Sequence, residues 1–274
     1  MATIISDTAC IDPRAELADE VEVGPYCVIG PDVRIGRGTR LIAHVCILSG
    51  TSMGTDNIVS PFVVLGGEPE GSPQTSGPSH LEIGDRNIFR EGVTIQRGLG
   101  GSTRIGHDNR LSAGVQVAQN CCLGDRIALG QNVGLAGHVH VGSNANLSAG
   151  VGSHPYVTIG LSSFVGAGTY LYHDVPPYMV ADGHPAKVRC INIVGLKRAG
   201  MDREEIDALH EAHRLLFRAR VELEDAAEIC QAHGQKTPTV ELLLRFLRDQ
   251  REGRHGRARD RSRSALLPET PGHS

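Results

Sequence analysis

An aliphatic residue recurs at every sixth position along most of the first two-thirds of this chain. From Ile5 the series runs through Ile11, Leu17, Val23, Ile29, Ile35, Leu41, Ile47, Met53, Val59 and Leu65. It lapses at GGEPEGSPQTSGPSH, returns at Ile83, Phe89 and Ile95, and lapses again at RGLGGS. It then continues through Ile105, Leu111, Val117, Leu123, Leu129, Leu135, Val141, Leu147, Ser153, Ile159, Val165 and Leu171, with Ser153 the one polar interruption. A period of six fits neither an amphipathic helix nor a simple hairpin. It fits a chain that turns a corner every six residues and points one apolar side chain inward at each turn. Three hexads then close a triangular coil of 18 residues, and stacked coils bury a continuous core.

The other hexad positions agree. The second is often glycine, as at Gly24, Gly30, Gly36, Gly54, Gly84, Gly106, Gly124, Gly130, Gly142, Gly160 and Gly166, which is expected to relieve the tight corner. The fifth is small or β-branched, as at Val33, Thr39, Val45, Val63, Val115, Val133 and Val151. Composition points the same way: 34 glycines and no tryptophan suit repetitive β-structure better than a core of large aromatics.

The pattern changes after Pro176–Pro177. MDREEIDALHEAHRLLFRARVELEDAAEIC reads as one amphipathic helix, with Asp202 as N-cap, Glu205 completing a capping box, and Ile206, Leu209, His213, Leu216 and Phe217 on its buried face. TPTVELLLRFLRDQRE reads as another. The expected organisation is a β-helix over 1–190, a helical domain over 191–250, and a disordered, solvated Arg-rich tail over 251–274.

A net charge of -4 leaves no global footprint for nucleic acid. No apolar run of about 18 residues is present, so no membrane-spanning helix is expected. The N-terminal residues lack the basic and apolar regions of a signal peptide, and seven scattered cysteines read as reduced thiols. A cytoplasmic protein is expected.

Chemistry is expected where polar groups stack. Residues 18 apart share a face, so the hexads from 117, 135, 153 and 171 form a column holding Gln119, Gly137–His138, His154–Pro155 and His173–Asp174. A lone corner histidine is ordinarily a solvated surface group; a stack of them is a candidate proton-transfer site. His138, His140, His154 and His173 supply no fixed tetrahedral ligand set, so no metal site and no cofactor is expected.

Several segments carry a resemblance beyond the repeat: EIGDRNIFREGVTIQRG at 82–98, LAGHVHVG at 135–142, HDVPPYMVADGHPA at 173–186 and INIVGLKRAGMDREEI at 191–206. They resemble the acyl-carrier-protein-dependent UDP-N-acetylglucosamine O-acyltransferases of lipid A synthesis. That resemblance implies a left-handed parallel β-helix followed by a small C-terminal α-helical domain. It implies transfer of a 3-hydroxyacyl group from acyl carrier protein to the 3-hydroxyl of the nucleotide sugar, by a homotrimer with sites between neighbours. Gly137 then matches the backbone donor to the oxyanion, and His138 and His154 match histidines lining the cleft. Asn192 and Arg198 match residues near the nucleotide and carrier ends, and Lys197 adds charge there. Ala167 stands where the family sets acyl-chain length, which implies a shorter groove.

The chain also departs from the family. The segment A-H-x-A-H-D-C, whose second histidine is the general base, reads Val115-Gln116-Val117-Ala118-Gln119-Asn120-Cys121 here. A glutamine amide cannot accept a proton at neutral pH. The family's substrate-loop Asp and Lys align with Gly71 and Pro73, a Gln with Pro155, a Glu with Val194, and an Arg with Ala199. Two readings follow. In one the protein is an active acyltransferase, with His138 as base or with an amine acceptor that needs none as strong. In the other it is a non-catalytic homologue that binds acyl carrier protein or nucleotide sugar.

Overall fold

The computed structural model describes residues 3–69 and 77–260. Gly71 and Pro73, in the first interruption, and residues 261–274 of the expected tail lie outside them. Short strands, most of two residues, stack in parallel into three sheets that form the faces of a triangular solenoid, and a last strand, Lys187–Ile191, adds antiparallel to one of them. The first face carries Val23, Leu41, Val59, Phe89, Leu111, Leu129, Leu147 and Val165 in register. The second stacks Ile95, Val117, Leu135, Ser153 and Leu171. The third stacks Ile105, Leu123, Val141 and Ile159.

The period-six residues form one core, from Val23 to Leu171, with the fifth-position Val33, Val45, Val63, Val115, Val133 and Val151 fully buried among them. The core thins at the open first coil, where Ile5 is 47% exposed. Ser153 is tolerated inside because its hydroxyl accepts the Ala136 N–H (3.3 Å). The interruptions lengthen a coil without breaking register: Met53 pairs with Ile83, and Ile83 with Ile105.

The second-position glycines act differently from expectation. They do not supply the left-handed corner; that conformation falls two residues later, and mostly on other residues such as Glu20, Tyr26, Asp32, His44, Asn120, His138 and Tyr156. The glycines are required by stacking. A Cβ on Gly24 would stand 1.8 Å from the Ile42 carbonyl oxygen of the next coil.

Among the described residues the C-terminal region holds four α-helices: α1 (Ile193–Arg198), α2 (Arg203–His213), α3 (Leu223–Ala232) and α4 (Pro238–Arg251). The long helix expected over 201–230 is therefore two. A π-helical turn at Arg214–Arg218 and a left-handed Arg220 separate α2 from α3, which lets both pack on α4. Asp202 caps α2 by accepting the Glu205 N–H (2.9 Å). The Glu205 carboxylate instead takes the Thr239 hydroxyl of α4, so the expected capping box is half formed and a tie between helices replaces the rest. Ile206, Leu209 and His213 are buried, and Leu216 and Phe217 pack against the same helical core. Residues 251–260, assigned from composition to a solvated tail, end α4 and form a 3-10 turn at Gly256–Arg259 that packs on the solenoid.

Candidate active site

The second-face register fixes what stacks at the corner leading to the third face. Gln119, Gly137, Pro155 and His173 share its third position; Asn120, His138, Tyr156 and Asp174 share its fourth. The coils are tied together there. His138 donates its N–H to the Gln119 carbonyl (2.9 Å), and Tyr156 donates to the Gly137 carbonyl (3.0 Å).

Glycine at 137 makes room for the Gln119 amide, since a Cβ there would lie 3.1 Å from the Gln119 Nε2. Within this column the Gln119 N–H is taken by Gln96 Oε1 (3.2 Å) and Pro155 has none. The Gly137 N–H makes no hydrogen bond among the described residues. This peptide and the one before it are each tied by a side chain. The Ala136 carbonyl, the other half of that peptide, accepts the Cys121 thiol (3.1 Å), while the Ala136 N–H goes to Ser153. Burial pushes the Cys121 thiol up to about 12, so it stays a protonated donor.

The His138 ring stacks on Tyr156, with centroids 4.4 Å apart and planes 8° from parallel. Burial, and then the Arg259 guanidinium, hold its imidazole below the usual range, against an opposing pull from Asp260. It is therefore neutral at neutral pH and free to accept a proton. Neighbouring His140 lies on the third face and is pushed down to about 4, first by burial and then by Arg259. His154 is half-buried; its Nδ1 lies 3.3 Å from the Pro155 carbonyl, and its ring centroid is 6.4 Å from that of Tyr172. Asp174, expected as a proton-transfer group, instead accepts the Thr158 N–H (2.7 Å) and the Gln250 amide (3.2 Å), and so anchors α4.

The outer surface of the second face runs into this corner. Thr94, Gln116, Gly134, Gly152 and Tyr170 point outward from successive strands and line a groove of about 470 Å³ with Gln96, Ala118 and Ala136. Gly134 leaves its floor open, since a Cβ there would meet nothing within 4 Å. At Gly152 the floor is covered: the Tyr170 ring lies 2.7 Å from where a Cβ would stand.

The structure thus brings Gln119, Gly137, His138 and His154 together. Ala167 is exposed on a different corner, between the first and second faces. Asn192, Lys197 and Arg198 lie at α1, beside the corner between the third and first faces. There the Asn192 carboxamide is engaged within the chain: Oδ1 caps α1 at the Gly195 N–H (3.1 Å), and Nδ2 donates to the Ser162 carbonyl (2.9 Å). These two bonds position α1 on the solenoid. Lys197 and Arg198 are exposed in the last turn of that helix, and Val194 is exposed beside them. Tyr156, Tyr170 and Arg259 were missed from sequence. The first two stand 18 residues above His138 and Gly152, so the repeat could have exposed them. Arg259 gave no signal, because an Arg-rich segment reads as solvated.

Comparison with known proteins agrees with this architecture. A family model described as UDP N-acetylglucosamine O-acyltransferase, domain 2, matches residues 174–256. An acyl-[acyl-carrier-protein]–UDP-N-acetylglucosamine O-acyltransferase from Syntrophobacter fumaroxidans is 38% identical over 253 residues, covering 91% of this chain and 98% of that protein. One from Stenotrophomonas maltophilia is 40% identical over 247 residues, covering 89% and 94%. The solved structure of a UDP-N-acetylglucosamine acyltransferase from Bacteroides fragilis superposes with a TM-score of 0.87 at 33% identity, covering 90% of this chain and 97% of that one. On fold, length and sequence together, this chain belongs to the acyl-[acyl-carrier-protein]–UDP-N-acetylglucosamine O-acyltransferase family.

Proposed function

We propose that the protein transfers a 3-hydroxyacyl group from the thioester of acyl carrier protein to UDP-N-acetylglucosamine or a related nucleotide amino sugar, the first step of lipid A synthesis. The observation that carries this reading is the corner itself. A Gly137 N–H and a Gln119 amide that make no hydrogen bond among the described residues lie with His138 on one corner, beside an open groove.

The chemistry divides among them. The thioester carbonyl binds at the Gly137 N–H, whose peptide the Cys121 thiol holds through the Ala136 carbonyl, while the Ser153 hydroxyl holds the peptide before it. A donor fixed in advance stabilises the tetrahedral oxyanion without reorganising. Gln119 orients the acceptor by hydrogen bonding. His138 takes the acceptor proton as the new acyl bond forms, and returns a proton to the departing pantetheine sulfur. The acyl chain lies in the groove over Gly134, towards Tyr170.

An amine acceptor fits the glutamine at 119, which stands where the family has its general base and cannot take a proton. An amine is already nucleophilic once deprotonated, and its transfer step asks less of the base.

We further infer a cytoplasmic homotrimer. Asn192, Lys197 and Arg198 lie on a different corner of the solenoid from Gln119 and His138, so a site using both sets draws them from two protomers. The exposed, stacked Tyr26, His44 and Phe62 offer apolar surface for that contact. The test is an acyl-transfer assay with 3-hydroxyacyl carrier proteins of several lengths, offering UDP-N-acetylglucosamine and its 3-amino analogue. Transfer to either supports the reading. Carrier or nucleotide binding without transfer supports the non-catalytic alternative, and a monomer by light scattering rejects the shared site.

A further inference from the structure

The chain beyond α4 runs down the solenoid rather than away from it. Gln250 bonds Asp174 (3.2 Å), and the Gly256 N–H reaches the Thr158 hydroxyl (3.4 Å) one coil below. Gly256 has φ +62, and a Cβ there would stand 2.7 Å from the Asp174 carboxylate, so the strap depends on glycine at this point. It reaches Arg259, whose Nη2 donates to the His138 carbonyl (2.9 Å) and the Tyr156 carbonyl (2.5 Å). Its Nη1 lies 2.8 Å from His140 Nε2, and the guanidinium carbon lies 5.9 Å from the Tyr156 ring centroid.

We propose that Arg259 is a positioning residue for the candidate site: its single planar guanidinium binds the backbone carbonyls of His138 and Tyr156 and so fixes the stacked pair in register. Both residues sit in the left-handed conformation, at φ +63 and φ +68. For any residue but glycine that conformation persists where its surroundings enforce it. A guanidinium suits the task because Nη2 donates to both carbonyls while Nη1, fixed in the same plane, engages His140, a set of contacts that the single nitrogen of an ammonium does not reproduce. The contact to His140 requires an unprotonated Nε2, and burial supplies that state.

The groups facing His138 are Arg259 and Asp260 from the strap, and Tyr156 and His140 from the wall. Removing the guanidinium takes a positive charge from beside the imidazole and opens it to water. Both changes raise its proton affinity. The proposal rests on His138 being the base only for its kinetic consequence; the effect on the imidazole does not depend on turnover.

The experiment uses the full chain, with Arg259→Gln and Arg259→Lys. The His138 ring proton is followed by NMR across pH, assigned with His138→Asn, alongside melting temperature and the pH profile of kcat/KM. Arg259→Gln is expected to move the His138 titration to higher pH, to carry the acidic limb of kcat/KM with it, and to lower kcat by about 10- to 100-fold through misplacement of the reacting groups. Arg259→Lys keeps the charge and loses the planar fork, so its titration stays nearer the parent while kcat still falls. A lowered melting temperature with the His138 titration unmoved in Arg259→Gln would overturn the proposal and leave the strap a packing element. If the parent shows no transfer at all, the functional reading fails, while the NMR titration still decides the role of Arg259.

Discussion

The Cys121 thiol donates to the Ala136 carbonyl at 3.1 Å, and that carbonyl belongs to the peptide whose N–H, on Gly137, faces the candidate site. A buried cysteine fifteen residues away by sequence therefore sets the direction of the one backbone donor on which the proposed chemistry depends. Cys121→Ala keeps the apolar volume roughly filled and removes the tether. It is expected to lower kcat by about tenfold, a fraction of the loss measured when an oxyanion donor is removed outright. Cys121→Ser restores a donor and is expected to recover part of it. Equal kcat in all three proteins would dismiss the tether.

Tyr170 closes one end of the groove by lying over Gly152. Tyr170→Gly uncovers that floor and lengthens the trough. The preferred acyl chain should grow by two or more methylenes, since each buried methylene is worth about 0.8 kcal/mol. Competition between carrier proteins bearing short and long 3-hydroxyacyl chains reads this directly, and an unchanged preference would show that the chain lies elsewhere. Ala167, singled out from sequence, lies on the far corner of this face; Ala167→Leu is expected to affect chain length less than Tyr170→Gly.

His140 gives the fold a pH dependence. Its folded value is pushed down to about 4, below the ordinary 6.5 of the unfolded chain. Between these values the unfolded state binds more protons, so stability rises with pH. The contribution is fully present above about pH 6.5 and is lost as pH falls towards 4, with a size on the order of 1–3 kcal/mol. Denaturant unfolding of His140→Gln against the parent at pH 7.5 and 5 should show a smaller acid loss in the variant. An equal loss in both would assign acid lability to other groups.

Asn192 was expected at the nucleotide end, yet both ends of its carboxamide are engaged in capping α1 and tying it to Ser162. Asn192→Ala should therefore cost about 1–2 kcal/mol of stability. Its main effect on any nucleotide affinity should come through displaced α1. Asn192→Asp, which keeps the cap acceptor, is expected to recover part of the stability in urea titrations. A variant as stable as the parent but deficient in nucleotide binding would restore the direct role.

The sequence disclosed one class of information well. Apart from the two interruptions, the inward residues from Val23 to Leu171 keep a period of six, because each strand pair repeats the same packing problem. Corner geometry was not disclosed, because the left-handed residue is as often Tyr26, Asp32 or Arg126 as glycine; ladder hydrogen bonds from the neighbouring coil stabilise it whatever the side chain. The break between α2 and α3 was hidden because Leu215, Leu216 and Phe217 continue the apolar pattern through the π-helical turn. In the candidate site, stacking by 18 residues located Gln119, Gly137 and His138 together. It could not locate Arg259, whose contacts to His138 and His140 join positions 121 and 119 residues apart.

The second-position glycines carry their own test. Gly24→Ala drives a methyl group against the Ile42 carbonyl of the next coil, and backbone cannot move aside cheaply. A loss of about 1–3 kcal/mol or more is expected. Gly134→Ala, whose methyl group meets open groove, should leave stability within about 1 kcal/mol of the parent and act on the acyl preference instead.

The central claim is that His138 does the work of the base at a corner where Gln119 cannot. The most direct measurement is the acyl-transfer rate of the parent, His138→Ala and Gln119→His under identical conditions, with both acceptors and with folding checked by melting temperature. Measurable transfer is expected in the parent, with a loss of about 10²- to 10⁴-fold in His138→Ala. Gln119→His should gain activity, more with the hydroxyl acceptor than with the amine. A folded His138→Ala protein that transfers as fast as the parent would contradict the claim.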